Sequence, residues 1–485
     1  MATNTPIRAR GSATPFVVCS IDLFERSVVL RLPFRFGVVT LTHCPQAFAR
    51  ARIRMSDGRE VSGAAAEVMA PKWFDKNLAL SNEDNFNQLR DVLLLAREAY
   101  LSDQAPGTAF GHFARHYDAH QRAGAARGYN PLLASYGPAL LDRAVLDALC
   151  RAHGVSFYAA MHGNLAGIGD ARSEFSGIDF GRFLALQKPA VSIEARHTVG
   201  MVDAITAADL KEPLDDGLPE TLEQVVAHYG HRYFKFKVGG NLDADLARLQ
   251  AIAAVLDRTP QPYFTSLDGN EQYDNAQQVA ELLGRMRASP ALGRLTASIL
   301  FVEQPIARKS ALEADFRGNV LGLPVIVDES DGTLDTFVEA RGRGYTGVSS
   351  KTCKGLYKSV LNAARCAKWN AEGGAPRFFM SAEDLTTQAG LAVQQDLALV
   401  NFLGVTHVER NGHHYVNGMA ALPASEQRAF LSAHPDMYEQ SHGAVRLKIA
   451  SGRIALASLD CAGYASAAMP EFSAMQPVIA PVQPA

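Results

Sequence analysis

Two lysines that lie two residues apart, Lys235 and Lys237, interrupt an apolar run of the sequence, YFKFKV (233–238). On an extended chain both side chains point to the same face. A buried parallel strand is normally almost all apolar, so two ammonium groups on one face call for a chemical explanation. A neighbouring positive charge makes it easier for an amine to lose its proton and act as a base. We therefore expect one of these lysines to move a proton, with the other tuning it or holding a substrate carboxylate.

Carboxylates end the next three apolar runs of the chain, and a third lysine follows. The acids are Asp268, Glu303 and Asp328, and the lysine is Lys351. Carboxylate oxygens without histidine or cysteine suit Mg²⁺, with Mn²⁺ as a possible substitute, rather than zinc. A divalent ion lowers the barrier to removing the proton α to a substrate carboxylate, because the enediolate that results is doubly charged. The pattern predicts this chemistry at one end of a set of parallel strands.

The elements that would position these groups are short apolar runs that alternate with helical segments from about residue 190. Eight such runs can be counted, and helices are predicted over 242–258, 275–289 and 359–371. This rhythm is typical of a (β/α)8-type barrel, whose chemistry lies at the carboxyl ends of the strands. A doubly wound sheet would more often show a glycine-rich loop after its first strand, and the sequence has no G-x-G-x-x-G motif.

The part before the barrel has mixed character. Residues 28–42 and 47–69 are predicted strands joined through the turn Ser56-Asp57-Gly58. Helices are predicted over 82–101 and 138–154, the second ending at Gly154, whereas 103–137 is predicted as loop and short helix. The tail, 443–460, again predicts two strands and a turn, which could pair with the first part of the chain.

The motifs KFK, DGN, EQP and VDES, followed by a lysine on the sixth strand, resemble the enolase superfamily in their order. Lysines on both the second and the sixth strand resemble the muconate-lactonizing-enzyme-like subgroup. The resemblance implies an α/β fold, a modified TIM barrel of (β/α)7β type, with an α+β capping domain built from the N-terminal part and the C-terminal tail. The expected bounds are 15–185 for the capping domain, 186–430 for the barrel and 431–470 for the completing segment.

The same resemblance implies roles for individual residues. Asp268, Glu303 and Asp328 match the metal ligands, and Lys237 and Lys351 match the acid/base lysines, with Lys235 as the first lysine of K-x-K. Further residues expected beside the metal ligands or at the substrate are Asn270, Glu329, Glu383, Asp384 and Arg35. Whether Asp328 or Glu329 is the third ligand stays open, as do the roles of His197 and His407.

The composition of the chain limits the kinds of binding partner and the cellular location that we expect. The net charge is −3, which gives no electrostatic reason to expect nucleic acid or an anionic membrane. No apolar run approaches the ~18 residues of a membrane span. The six cysteines are scattered, as in a reduced cytoplasmic protein. We expect a cytoplasmic enzyme, a homo-oligomer, whose partner is a small carboxylate substrate.

The predicted activity is Mg²⁺-dependent proton abstraction by a lysine base, which leads to racemisation, epimerisation or cycloisomerisation. β-Elimination begins with the same step and stays open as an alternative. A barrel that binds metal and carboxylate without turnover is a second alternative, and a metal-free Schiff-base lyase is a third.

Overall fold

The computed structural model describes residues 13–36 and 39–480. The N-terminal part contains three strands, β1 (Phe16–Phe36), β2 (Val39–Met55) and β3 (Glu60–Val68), and then five helices. These are α1 (Asn82–Ser102), α2 (Ala109–Ala126), α3 (Pro131–His153), α4 (Phe157–His162) and α5 (Phe180–Ala185).

The middle of the chain alternates strands and helices. In order, these are β4 (Ser192–Val199), α6 (Leu222–Tyr229), β5 (Tyr233–Lys237), α7 (Leu242–Leu256), β6 (Phe264–Asp268), α8 (Ala276–Ala288), α9 (Gly293–Ala297), β7 (Ile299–Glu303), α10 (Arg308–Ala311), β8 (Val325–Val327), α11 (Thr336–Gly342), β9 (Gly347–Ser350), α12 (Leu356–Gly373), β10 (Phe379–Ala382), α13 (Leu391–Phe402) and β11 (His407–Arg410). The remaining elements are α14 (Gly412–Tyr415), α15 (Ala424–Ala433), β12 (Tyr438–Ser441), β13 (Ala444–Leu447), β14 (Arg453–Ala455) and β15 (Gln476–Pro477).

Strands β4 to β11 form a closed barrel of eight parallel strands, because β11 pairs with β4. Helices follow the first seven strands, and only the four-residue α14 follows β11, so the predicted (β/α)7β barrel is confirmed. None of the helices in residues 13–36 and 39–480 is long and apolar enough to span a membrane. All strands of the barrel direct their carboxyl ends to the same side, which is where their polar ends must meet.

The capping domain is an antiparallel sheet, in the order β15-β1-β2-β3, covered by helices. Helix α3 lies so close to the sheet that a Cβ on Gly63 would be 2.1 Å from the backbone nitrogen of Ala148. Asn130 caps α3 through its side chain, which accepts from Leu133 N, and Gly154 ends the helix at a φ of 63°. The predicted end of this helix is therefore confirmed, whereas its start lies earlier than expected.

Three local expectations differ from the structure. Residues 28–42, predicted as one strand, hold the end of β1 and the start of β2, which pair through Phe36 and Val39. The region 103–137 contains the 18-residue helix α2, whose alanine- and histidine-rich sequence hid its amphipathic pattern. In the tail, β14 pairs with the barrel strand β4, and it is β15 that joins the capping sheet.

A buried ion pair within the capping domain lies against the barrel. Arg143 on α3 donates to Glu67 at 2.9 Å, and both side chains are almost completely buried. Glu67 also accepts from the hydroxyl of Thr352, next to β9, at 2.8 Å. Gln395 on α13 donates to the carbonyl of Ala64 at 2.8 Å. These polar contacts fix where the sheet lies on the barrel.

Removing Arg143 should therefore weaken the whole structure. We expect Arg143→Ala to lower the free energy of unfolding by about 3–5 kcal/mol, because Glu67 would stay buried without its cation. Urea unfolding followed by circular dichroism measures this. The matched control is Arg50→Ala, whose exposed pair with Asp22 should contribute less than about 1 kcal/mol. Equal effects of the two substitutions would contradict this role for Arg143.

Candidate active site

The carboxyl ends of six successive barrel strands bring the predicted polar residues together. Lys237, Asp268 and Glu303 are the last residues of β5, β6 and β7, and Asp328 and Lys351 directly follow β8 and β9. Glu383 and Asp384 directly follow β10. All of these side chains are buried. The barrel thus positions them by strand register alone, since parallel strands end at the same level.

Lys235 is the centre of the charged interior. Its ammonium group lies 2.8–3.0 Å from carboxylate oxygens of four residues, Asp268, Glu303, Glu383 and Glu409. Burial alone would lower the pKa of Lys235, but the four carboxylate charges, led by Asp268, outweigh it and hold the pKa well above its usual value. These contacts favour the charged form of Lys235 and tie β5 to the four strands that carry the carboxylates.

Lys237 lies above this cluster. Its Nζ donates to Asp268 Oδ2 at 2.6 Å, the same oxygen that Lys235 Nζ approaches at 2.8 Å. Lys237 keeps 8% of its surface exposed and lines the pocket at the barrel mouth. The two lysines of the K-x-K motif are thus unequal, because one is fully enclosed by acids and the other reaches the pocket.

Lys351 occupies the opposite side of the barrel. Strands β5 and β9 are four strands apart in a closed barrel of eight, so Lys237 and Lys351 face each other across the mouth. Lys351 Nζ lies 2.5 Å from Asp328 Oδ2 and 4.3 Å from the centroid of the Trp73 ring. Burial lowers the pKa of Lys351, but the Asp328 charge outweighs it and raises the pKa overall. The charge of Asp328 thus favours the protonated form of Lys351.

The positive charges at the barrel mouth do not balance all of the buried carboxylates there. Burial, followed by the charges of Asp268 and Glu383, raises the pKa of Glu303 well above its usual value. Glu329 Oε2 and Asn270 Oδ1 are buried and have no hydrogen-bond partner among the described residues. Unpaired buried oxygens are costly, and a hard divalent cation prefers oxygen ligands. The residues at this point therefore fit Mg²⁺.

The loops that carry the carboxylates are held in uncommon conformations. Asn270 and Gln304, neither of them glycine, have φ values of 40° and 32° directly after β6 and β7. The Gln304 side chain accepts from the backbone nitrogens of Asp328 and Ser330 at 2.8 and 3.1 Å. Backbone strain of this kind concentrates at functional sites, where surrounding contacts maintain it. Gln304 thereby positions Asp328.

A segment of the capping domain closes the site. Arg308, after β7, donates to the carbonyls of Trp73 and Phe74 at 2.7 and 2.9 Å. From the other direction, Lys76 donates to the carbonyl of Asn270 at 2.8 Å and pairs with Glu271 at 2.5 Å. Trp73 is consequently fixed beside Lys351, and the pocket is complete only when both domains are present.

The resulting pocket has a polar floor and an apolar wall. The floor holds Lys237, Lys351, Asn270, Asp384 and Glu409, and the wall holds Phe34, Phe36, Leu41, Trp73 and Leu385. The expected substrate contact Arg35 does not join them. Its side chain is exposed, because it points to the face of β1 opposite Phe34 and Phe36.

The remaining predicted residues lie around the floor. Glu383 faces the barrel interior and pairs with Lys235 and Arg196, whereas Asp384 lines the pocket and lies 3.5 Å from Arg410 Nη1. Asn270 donates to Glu329 at 3.1 Å. His197 and His407 lie outside this pocket's lining.

Two residues of the site did not emerge from the sequence. Glu409 on β11 accepts from Thr198 and Lys235 and reaches the pocket. Glu409 could have been found in the sequence as a charged residue inside a buried strand, which is the signal that identified Lys235. Trp73 comes from a distant segment, and only tertiary contact brings it to Lys351.

Residues 217–456 match the family model described as Enolase C-terminal domain-like. Among solved structures, the chain resembles a muconate lactonizing enzyme from Pseudomonas fluorescens complexed with muconolactone, at 17% identity and a TM-score of 0.57, covering 95% of this chain and 98% of that one. It also resembles an enolase superfamily member from Roseovarius nubinhibens ISM complexed with magnesium, at 16% identity and a TM-score of 0.54, covering 96% and 99%.

A dipeptide epimerase from Enterococcus faecalis V583, complexed with Mg and the dipeptide L-Leu-L-Tyr, is similar at 13% identity and a TM-score of 0.54, covering 90% of this chain and 99% of that one. No curated protein sequence matched the chain. At these identities the structural likeness concerns the fold, which agrees with the closed barrel and its capping sheet. Residues 217–456 thus match the Enolase C-terminal domain-like family, and the chain as a whole has the fold of these solved enolase-superfamily structures.

Proposed function

We propose that this protein is an enzyme that removes the proton α to a carboxylate and so racemises, epimerises or cycloisomerises its substrate. The observation that carries the proposal is the placement of Lys237 and Lys351 on opposite sides of one pocket. A substrate carbon held between them exposes one face to each lysine side chain, of which one must be the neutral amine and the other the ammonium ion. One lysine can then accept a proton while the other donates one.

The carboxylates Asp268, Glu303 and Asp328 are the residues that would hold Mg²⁺. When bound, the ion supplies positive charge that favours ionisation of the carbon next to a carboxylate. Glu329 and Asn270, which have free buried oxygens, lie beside this set and would orient it or the substrate. Mn²⁺, with similar ligand preferences, is the expected substitute.

Lys235 is proposed as a positioning residue rather than the base. Its four carboxylate partners keep it charged, so it cannot accept a proton near neutral pH. Through Asp268 and Glu409 it fixes the floor on which the substrate carboxylate would lie. Lys237 shares only the Asp268 oxygen with it and has access to the pocket.

The pocket wall indicates the class of substrate. Aromatic and aliphatic side chains, Phe34, Phe36, Leu41, Trp73 and Leu385, line the pocket together with the two lysines. Burying apolar surface against them contributes about 25 cal/mol per Å². We therefore propose a small carboxylate whose remaining part is apolar. Arg35, exposed on the outer face, is not proposed as a contact to substrate.

Loss of Lys237 should stop proton exchange. Incubation with Mg²⁺ and apolar carboxylates in D₂O should place deuterium on the α-carbon, detected by mass spectrometry. We expect Lys237→Ala to slow this at least about 10²-fold, the usual contribution of an acid/base group. The matched control is Lys309→Ala, outside the pocket lining. Exchange retained in Lys237→Ala would contradict the assignment, and product analysis separates isomerisation from β-elimination.

Mg²⁺ binding should be visible through Trp73. The chain has two tryptophans, Trp73 and Trp369, so Trp369→Phe leaves Trp73 as the reporter. Lys351 contacts both the Trp73 ring and Asp328. A cation bound to Asp328 should therefore change the fluorescence of Trp73. Asp328→Asn in this background should abolish the change, whereas Asp315→Asn, an exposed acid paired with Arg317, should preserve it. No response to Mg²⁺ in Trp369→Phe would argue against the metal.

Replacing Lys235 should make stability depend on pH. In EDTA at pH 8 we expect Lys235→Met to lower the free energy of unfolding by about 3–5 kcal/mol, because four buried acids lose their common cation. Their pKa values then rise above the unfolded value of ~4.3, so the folded variant takes up protons as the pH falls.

The deficit of Lys235→Met relative to wild type should consequently shrink between pH 8 and pH 5. The comparison with wild type isolates the contribution of Lys235, whose charge outweighs burial and holds the pKa of Glu409 well below its usual value. Lys237→Met, which loses one carboxylate contact, is the matched control with a smaller deficit. A deficit of Lys235→Met that is constant with pH would refute the charge argument.

A further inference from the structure

Three histidines that the proposed reaction does not use lie together on the outer face of the barrel wall. His197 is on β4 between Arg196 and Thr198, whose side chains face the barrel interior and contact Glu383 and Glu409. Because side chains alternate along a strand, His197 points outward. There it meets His231, just before β5, and His413, on α14.

The ring nitrogens of these three residues are at ligand spacing. One nitrogen from each lies within 4.8 Å of the other two. His197 Nδ1 and His413 Nε2 are 3.4 Å apart. Two nitrogens bound tetrahedrally to Zn²⁺ at ~2.0–2.1 Å are separated by about 3.3 Å. The pair already has the separation that such a centre requires.

The third ring is oriented for a ligand. His231 Nδ1 lies 3.0 Å from the carbonyl oxygen of Ala195, which can only accept, so Nδ1 carries the proton and the lone pair is on Nε2. His231 Nε2 is buried and has no hydrogen-bond partner within the described residues, and the side chain is 97% enclosed, with 3% exposed. A metal-bound histidine typically donates its other N–H to a carbonyl in this way.

The surrounding charges permit a cation. Arg410 is the nearest positive group to His413, and it is paired with Asp396 and Asp384. Arg31, close to the neighbouring His414, is paired with Asp216. Burial lowers the pKa of His231 to about 4, and those of His197 and His413 also fall, so the rings are in the neutral form that binds metal.

We propose that His197, His231 and His413 form a zinc site, separate from the carboxylate pocket, with three imidazole ligands. His413 also lines a cavity of about 20 Å³, which is enough for one water as fourth ligand. Nitrogen ligands without oxygen partners favour Zn²⁺ over Mg²⁺. The site would join β4 to α14, directly behind the contact of Thr198 with Glu409.

Zinc binding to the full-length protein tests this proposal without any activity assay. The protein is freed of metal with EDTA, saturated with Mg²⁺ to fill the carboxylates, and dialysed against low-micromolar Zn²⁺. Elemental analysis should give one more Zn²⁺ per chain in wild type than in His413→Gln or His231→Gln. The control is His228→Gln, a neighbouring histidine outside the group, which should bind as wild type does.

Co²⁺ in place of Zn²⁺ reports the ligand geometry. Wild type should show the intense visible bands of tetrahedral Co²⁺, and His413→Gln should lose them while its circular dichroism stays unchanged. His116→Gln removes the other group with ligand spacing, which comprises Asp103, His112 and His116, and should leave the bands intact. Equal zinc content in wild type and both ligand variants, or no tetrahedral bands in wild type, would overturn the proposal and leave a packed cluster of neutral rings.

Discussion

The ammonium group of Lys235, enclosed by four carboxylates, is the interaction on which the rest of the site depends. Its partners come from four other strands of the barrel, so a single cation sets the relative positions of their carboxyl ends. A buried charge is tolerated only when it is paired, and here the pairing also gathers the acids that a divalent ion needs. The charge that stabilises the barrel and the charges that we propose for the chemistry therefore belong to one network.

This network explains why the capping domain matters for function as well as for stability. Phe34, Phe36 and Trp73 of the capping domain supply the apolar wall that faces the polar floor. Arg308 and Lys76 fix that segment through backbone carbonyls and Glu271, and the Arg143–Glu67 pair fixes the sheet behind it. A pocket built across two domains can change its wall, and with it the substrate, while the floor stays the same.

The alternation of side chains along β4 sorts two kinds of chemistry into two places. Arg196 and Thr198 face the acidic interior, and His197, between them, faces a group of imidazoles on the outside. Oxygen ligands therefore collect at the mouth of the barrel and nitrogen ligands behind its wall. With this separation, one chain can offer oxygen ligands to a hard cation such as Mg²⁺ and nitrogen ligands to a borderline cation such as Zn²⁺.

The sequence by itself determined the barrel and most of the charged residues at its mouth, because the period of a strand and the residue that ends it are local properties. Lys237, Asp268, Glu303, Asp328 and Lys351 could be identified because each ends an apolar run. Helix α2, the partners of the tail strands, Glu409 and Trp73 could not, since their roles depend on contacts between distant segments. Only the tertiary structure made Lys235 the enclosed cation and Lys237 the accessible one, because that difference is a matter of how many carboxylates each meets.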